Sequence, residues 1–177
     1  MLKESFVVRS IFLIIQVLFS PLFWIQSIKR FRFFVHDNVL AIPKIAGIGK
    51  NTTISPTAVF AYPENITLGE NCLINHNNRL YAGPDTKISL SNGVMIGPDV
   101  FMTADSFSKS MTESTLSHAG SVGDITIKEN VRIGAHAVIL PGVTIGKNVA
   151  IGAGSVVTKD IPANVVAAGN PARVVKE

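Results

Sequence analysis

The sequence predicts an all-β fold, a parallel β-solenoid preceded by a hydrophobic helical segment, and three observations carry that prediction. Ile127, Ile133, Ile139, Ile145, Ile151 and Val157 recur every six residues, which fits neither the 3.6-residue face of a helix nor the two-residue face of a long strand. Small residues punctuate the same stretch in IKENVR, IGAHAV, ILPGVT, IGKNVA, IGAGSV and VTKDIP. The N-terminal stretch is different in kind, with no charged residue from Ile11 to Ile28. The chain divides accordingly into residues 1–40, a hydrophobic and basic helical segment, and residues 41–177, a solenoid with a C-terminal cap.

In the N-terminal segment, Arg9 closes the uncharged run on one side and Lys29, Arg30 and Arg32 on the other. Pro21 sits inside it and Gln16 and Gln26 interrupt it, so a membrane-spanning helix is a poor fit. Arg9, Gln16, Ser20 and Ser27 form one narrow polar stripe at helical spacing. The rest of the surface is Ile, Leu, Phe, Val and Trp. Two readings stay open: residues 5–35 lie on a membrane surface with the basic cluster at lipid phosphates, or they pack on the solenoid or a neighbouring subunit. A secretory signal is disfavoured, since no small-x-small cleavage site follows the apolar run.

In the solenoid, each aliphatic residue points inward and stacks on its counterpart one coil away, while Gly, Asn and Asp supply the backbone angles of tight corners. Three six-residue units make one coil. The rhythm is already present, with faults, at Ile48, Ile54 and Phe60, then Leu68, Ile74 and Leu80, then Leu90, Ile96 and Met102. It breaks from Gly83 to Ser89 and from Thr103 to Asp124. Insertions in solenoids emerge as loops, often on the binding face. After Val157 the regular period ends, and Pro162 and Pro171 predict a tail that leaves the solenoid and caps its open end.

Composition narrows the function. A chain of 177 residues, 47% hydrophobic, buries a long apolar column without a second core. A single cysteine, Cys72, excludes an intrachain disulfide, fits a reducing compartment and reads as a packed core thiol. A net charge of +4 with interspersed signs gives no nucleic-acid footprint. The four histidines, His36, His76, His118 and His136, include no close pair, so no metal site is expected.

Residues 127–177, ending in GSVVTKDIPANVVAAGNPARV, resemble the hexapeptide-repeat acyltransferases, above all the galactoside and maltose O-acetyltransferase branch and the bacterial polysaccharide O-acetyltransferases. The likeness runs from Ile45 to the end. It implies a left-handed parallel β-helix, a homotrimer, and acetyl-CoA as co-substrate bound between subunits. The implied reaction is O-acetylation of a sugar or glycan acceptor, in the cytoplasm, with a peripheral place on the inner face of the membrane suggested by residues 5–35.

Such a reaction needs a base for the hydroxyl proton, a donor for the oxyanion and a place for two substrates. Where the family carries its loop histidine, this chain reads Asp105, Ser106 and Phe107. His76, in LINHNNRL, and His118, in the long loop, are the two candidate bases. Asn75 and Asn77 match the asparagines of the family's FANxN-like segment, which gives Asn75 the role of orienting the acceptor or binding the oxyanion. For the coenzyme, the resemblance assigns Gly134 and Ala135 to the thioester end, Ala153 and Thr158 to the pantetheine arm, and Lys159 and Arg173 to the phosphates. Arg132 stands where the family often has tryptophan. A catalytically degenerate scaffold or CoA-binding protein is the alternative, and a carbonic anhydrase on the same solenoid lacks converging ligands.

Overall fold

The computed structural model describes residues 10–11, 16, 20–35, 40–105 and 122–176. The chain falls into two compact units, residues 1–36 and 37–177.

In the first unit, helix α1 spans Pro21–Phe34, with Ser20 in extended conformation before it and Pro at its first position. Proline suits that place because its ring presets a helical φ and its missing N–H costs no intrahelical bond there. The helix turns a largely exposed surface outward, including Leu22, Trp24, Ile25, Ile28 and Phe31. Among the described residues, no helix is long and apolar enough to cross a membrane.

The second unit is a parallel β-solenoid of three sheets. Numbered along the chain, the first sheet stacks β1 (Gly47–Ile48), β4 (Ile66–Leu68), β7 (Ile88–Leu90), β10 (Ile125–Ile127) and β13 (Thr144–Ile145). The second stacks β2 (Thr53–Ile54), β5 (Leu73–Ile74), β8 (Met95–Ile96), β11 (Arg132–Ile133), β14 (Ala150–Ile151), β16 (Val166–Gly169) and β17 (Ala172–Lys176). The third stacks β3 (Val59–Ala61), β6 (Arg79–Tyr81), β9 (Phe101–Thr103), β12 (Val138–Ile139) and β15 (Val156–Val157). Among the described strands every pairing is parallel except that of β16 with β17. The six-residue aliphatics fall in register, Ile74 on Ile96 on Ile133 on Ile151 and Leu80 on Met102 on Ile139 on Val157. They form one dry column with Ile66, Ile88, Ile125, Ile127 and Ile145 fully buried.

Ile48 departs from the expected inward column: it is 42% exposed, and Ile54 is only half-buried. β1 is the last strand of its sheet, so no further coil stacks beneath Ile48. The tail also departs from expectation. Instead of leaving the solenoid after Val157, the chain brings Ile161 to a parallel bridge with Ile145 and lays β16 on β14. Pro162 thus sits within a further partial coil. The reversal comes only at Asn170 and Pro171, after which β17 runs antiparallel along β16.

Corner chemistry follows the sequence. Between the first and second sheets Asn51, Asn71, Asn130, Asn148 and Asn164 all have φ between 55° and 61°, a left-handed region asparagine tolerates better than most residues. Their side chains form partial ladders, Asn130 to Asn148 at 3.3 Å and Asn148 to Asn164 at 2.8 Å. The corner between the third and first sheets absorbs the irregularities: residues 62–65, 82–87 and 104–124 all lie between a third-sheet and a first-sheet strand. The inward registers survive because the surplus leaves at one edge.

Candidate active site

The remaining corner, between the second and third sheets, carries the candidate catalytic side chains. Its first position holds Ser55, Asn75, Gly97, Gly134 and Gly152 on successive coils; its second holds Pro56, His76, Pro98, Ala135 and Ala153. The lower coils therefore present polar side chains, and the upper coils an almost bare backbone. A Cβ on Gly97 would lie 2.8 Å from the Ala135 nitrogen, and one on Gly134 2.4 Å from the Ala153 nitrogen. Close stacking of coils alone demands glycine at both positions, and the same absence of side chains leaves a ledge that a ligand can approach closely.

His76 projects from this corner, exposed, with Nδ1 2.8 Å from Ser55 Oγ on the coil below. Ser55 is buried, and its Oγ lies 3.2 Å from Thr57 Oγ1. Thr57 Oγ1 in turn accepts the Asn77 N–H at 2.9 Å. With the proton on Nδ1, His76 donates to Ser55 Oγ and Ser55 donates to Thr57 Oγ1. That arrangement leaves Nε2 with a free lone pair on the solvent side, the form a general base requires.

Asn75 is held from the coil above, its Nδ2 donating to the Ile96 carbonyl at 3.0 Å. One amide hydrogen is used in this way, leaving the second and Oδ1 for a ligand. Beneath it, Asn78 is fully buried where neighbouring coils carry Ala58, Val100 and Ala137. Its Nδ2 donates to the Asn75 carbonyl at 3.0 Å and its Oδ1 accepts the Val100 N–H at 2.8 Å. Both ends of a buried amide are thereby satisfied, and the backbone of the Asn75–Asn78 corner is fixed from inside.

The residues assigned to the coenzyme separate into two groups. Gly134, Ala135 and Ala153 share the corner just described. Arg173, exposed in β17, pairs with Ala168, and a Cβ on Gly152 would meet the Ala168 Cβ at 2.8 Å, so Arg173 lies beside the end of the glycine column. Thr158 and Lys159 are exposed across β15 from Ala153, at the corner between the third and first sheets. Arg132 is exposed on the outer face of β11, in register between Met95 and Ala150.

His118, Ser106, Phe107 and His36 lie outside the described residues. At the base of the long loop Asp105 bridges Val122 in antiparallel sense, Gly123 N–H donates to the Ala104 carbonyl at 3.0 Å, and Gly142 N–H donates to the Gly123 carbonyl at 3.0 Å. A Cβ on Gly123 would lie 2.8 Å from the Gly142 Cα, which explains glycine at this neck. His136 occupies a corner with φ 58°, its N–H bonded to the Pro98 carbonyl at 3.0 Å. Cys72 is buried, with Sγ 3.2 Å from the Ser91 carbonyl, as a core thiol would be. Among the described residues no three His, Cys, Asp or Glu side chains converge as a metal site needs. An open cavity of about 480 Å³ lies between the first and second sheets, lined by Ile48, Thr67, Ser91, Asn92 and Glu129 among others, and includes none of the candidate residues.

Sequence reasoning missed Ser55, Thr57 and Asn78. The signal for the first two was the twenty-residue step from Ile54 to Ile74, which stacks Ser55 beneath Asn75 once the strands are in register.

Comparison with known proteins accords with this architecture. Residues 124–159 match the model of the bacterial transferase hexapeptide (six repeats) family. The galactoside O-acetyltransferase of Escherichia coli K12 is 44% identical over 134 residues, covering 75% of this chain and 64% of that protein. The putative colanic acid biosynthesis acetyltransferase WcaF of the same strain is 33% identical over 132 residues, covering 75% of this chain and 69% of that protein. A galactoside acetyltransferase solved in complex with coenzyme A superposes with a TM-score of 0.68 at 40% identity, over 78% of this chain and 68% of that one. A parallel solenoid with this corner pattern defines a hexapeptide-repeat protein, and the chain belongs to the hexapeptide-repeat transferase family. It spans a little under two thirds of the length of the galactoside O-acetyltransferase of E. coli.

Proposed function

We propose that this protein is an acetyl-CoA-dependent O-acetyltransferase that acylates a sugar hydroxyl, working as a homotrimer on a precursor of a cell-surface polysaccharide or on a lipid-linked glycan. The reading has the reaction on the cytoplasmic side of the membrane. One observation carries it: the polar step of Ser55, Asn75 and His76 adjoins the bare ledge of Gly97, Gly134 and Ala135 on a single corner. The names of the relatives support the acetyl donor and the sugar acceptor, and the colanic acid relative supports a polysaccharide product.

In this reading His76 Nε2 takes the proton of the sugar hydroxyl while the hydroxyl oxygen attacks the thioester carbonyl. A C–O bond forms, the C–S bond breaks through a tetrahedral oxyanion, and the proton passes from His76 to the departing sulfur. The products are the O-acetyl sugar and free CoA thiol. With Ser55 Oγ accepting from Nδ1–H, Nε2 is free to take this proton, and the spare hydrogen of Asn75 Nδ2 meets the acceptor or the oxyanion. Gly134 and Ala135 lie at the thioester end, Ala153 and Thr158 along the pantetheine, and Lys159 and Arg173 at the phosphates, where cations neutralise an anion that small neighbours allow to approach. His118 is the second candidate for the base.

The test is release of free thiol from acetyl-CoA with a panel of sugars, for the unsubstituted protein and for His76→Ala and His118→Ala separately. Loss of turnover with CoA binding retained identifies the base. A protein that binds CoA and releases no thiol with any acceptor is instead a CoA-binding scaffold, the reading that the loop sequence Asp105–Ser106–Phe107 favours.

A further inference from the structure

Helix α1 carries an apolar arc and a cluster of cations with no acidic residue between Ser20 and Val35. At 100° per residue, Trp24, Ile28 and Phe31 fall within about 60° of one another, with Ile25 at the margin of the arc. They are exposed by 55%, 56% and 66%, where aliphatic and aromatic side chains of this size are ordinarily covered. Arg32 borders the arc between Ile28 and Ile25, and Lys29 and Arg30 stand about 130° to either side of the arc's centre, all three exposed. Their long stems can lie along apolar surface while the charged ends reach outward.

We infer that this helix docks on an anionic phospholipid surface, with Trp24, Ile28 and Phe31 at the boundary between headgroups and acyl chains and Lys29, Arg30 and Arg32 among the phosphates. Charge decides for this occupant over a second copy of the helix. Three cations on a helix that carries no acidic residue of its own would repel an identical face, whereas a negatively charged leaflet attracts each of them. The aromatic residues suit the interface, where Trp and Tyr concentrate for their amphipathic rings. Helix length agrees, because fourteen residues lie along a membrane surface but do not reach across its core. The inference is independent of the acetyltransferase reading and survives or fails separately from it.

Trp24 is the single tryptophan of the chain, so its fluorescence reports on this helix alone. The full-length protein is titrated with vesicles of phosphatidylglycerol mixed with phosphatidylcholine, and with vesicles of phosphatidylcholine alone. The expected result is a blue shift and co-sedimentation with the anionic vesicles only, reversed by raising salt to about 0.5 M. Lys29→Gln/Arg30→Gln/Arg32→Gln weakens partitioning on the order of a hundredfold. Ile28→Ser/Phe31→Ser weakens it by at least about tenfold. The salt titration needs no variant, so a substitution that disturbs the helix does not blunt the test. Equal response to both vesicle types, or binding that survives both sets of substitutions, overturns the inference. So does an emission already blue without lipid and unmoved by it, which means that protein covers the arc. A shift that follows protein concentration without lipid assigns the face to a second copy and overturns it equally.

Discussion

The upper and lower coils of the solenoid build the same three-sheeted prism from different materials. From Ile125 to Val157 the coils are regular, the corner beside the second sheet is Gly134–Ala135 and Gly152–Ala153, and the backbone makes the surface. From Gly47 to Tyr81 the coils are longer, the equivalent corner is Ser55, then Asn75 and His76, and side chains make the surface. Beyond the open first coil, the lower half buries its aliphatic column as fully as the upper half. Regularity is needed to stack coils and is dispensable at the corners, so the corners are where the lower half differs. Repetition builds a surface for a ligand to lie on, and departures from repetition supply groups that react with it.

The sharpest way to break the comparison is to put a side chain on the ledge. Gly134→Val places a Cβ within 2.4 Å of the Ala153 nitrogen, and backbone cannot swing aside as a flexible side chain can. The coils must part, and we expect a loss of about 3 kcal/mol or more, or failure to fold, measured by chemical denaturation. Next in size is the column itself. Ile127→Ala, from a fully buried position, should cost roughly 3–4 kcal/mol. Ile48→Ala, at the open end and 42% exposed, should cost about 1 kcal/mol or less. Equal losses would mean that the first coil is covered in solution.

For the lower corner the readout is turnover. If His76 is the base, His76→Ala lowers thiol release by roughly 100- to 10,000-fold with CoA affinity unchanged. Ser55→Ala removes the partner of Nδ1 together with the bond to Thr57 Oγ1 and should lower kcat by about tenfold at unchanged KM, with a stability loss of roughly 1 kcal/mol. A KM effect without a kcat effect would instead make Ser55 a part of the acceptor pocket.

The column was legible because each short strand carries one inward residue, and six-residue spacing survives any change confined to a corner. Breaks in the rhythm were legible for the same reason, as were the asparagine and glycine corners. What the sequence hid depended on ends and on register. Ile48 fits the pattern perfectly and is exposed only because stacking stops there. The partial coil through Ile161 was hidden because a four-residue step replaces the six-residue one after Val157, and two prolines nearby suggested departure. His76 and Asn75 stood out as residue types, but Ser55 reaches His76 only across coils, a proximity invisible to local motifs. Asn78 looked like one polar residue among several, and only its burial reveals that it holds the corner from within.

The smallest expected effect separates two reasons for asparagine at the corner between the first and second sheets. Asn148 has φ 58°, donates through Nδ2 to Asn164 at 2.8 Å and accepts from Asn130 at 3.3 Å. Asn148→Ala loses both the ladder and the ease with which the left-handed conformation is adopted, and should cost about 1–2 kcal/mol. Asn148→Gly keeps the conformation and loses only the ladder. These side-chain bonds are exposed, so water replaces most of what they contribute, and the glycine variant should lie within about 0.5 kcal/mol of the parent. If both variants lose the same amount, the ladder rather than the backbone angle selects asparagine, and the corner stiffens the coils through side chains after all. The ordering expected here instead makes the ladder a consequence of residues already chosen for their backbone.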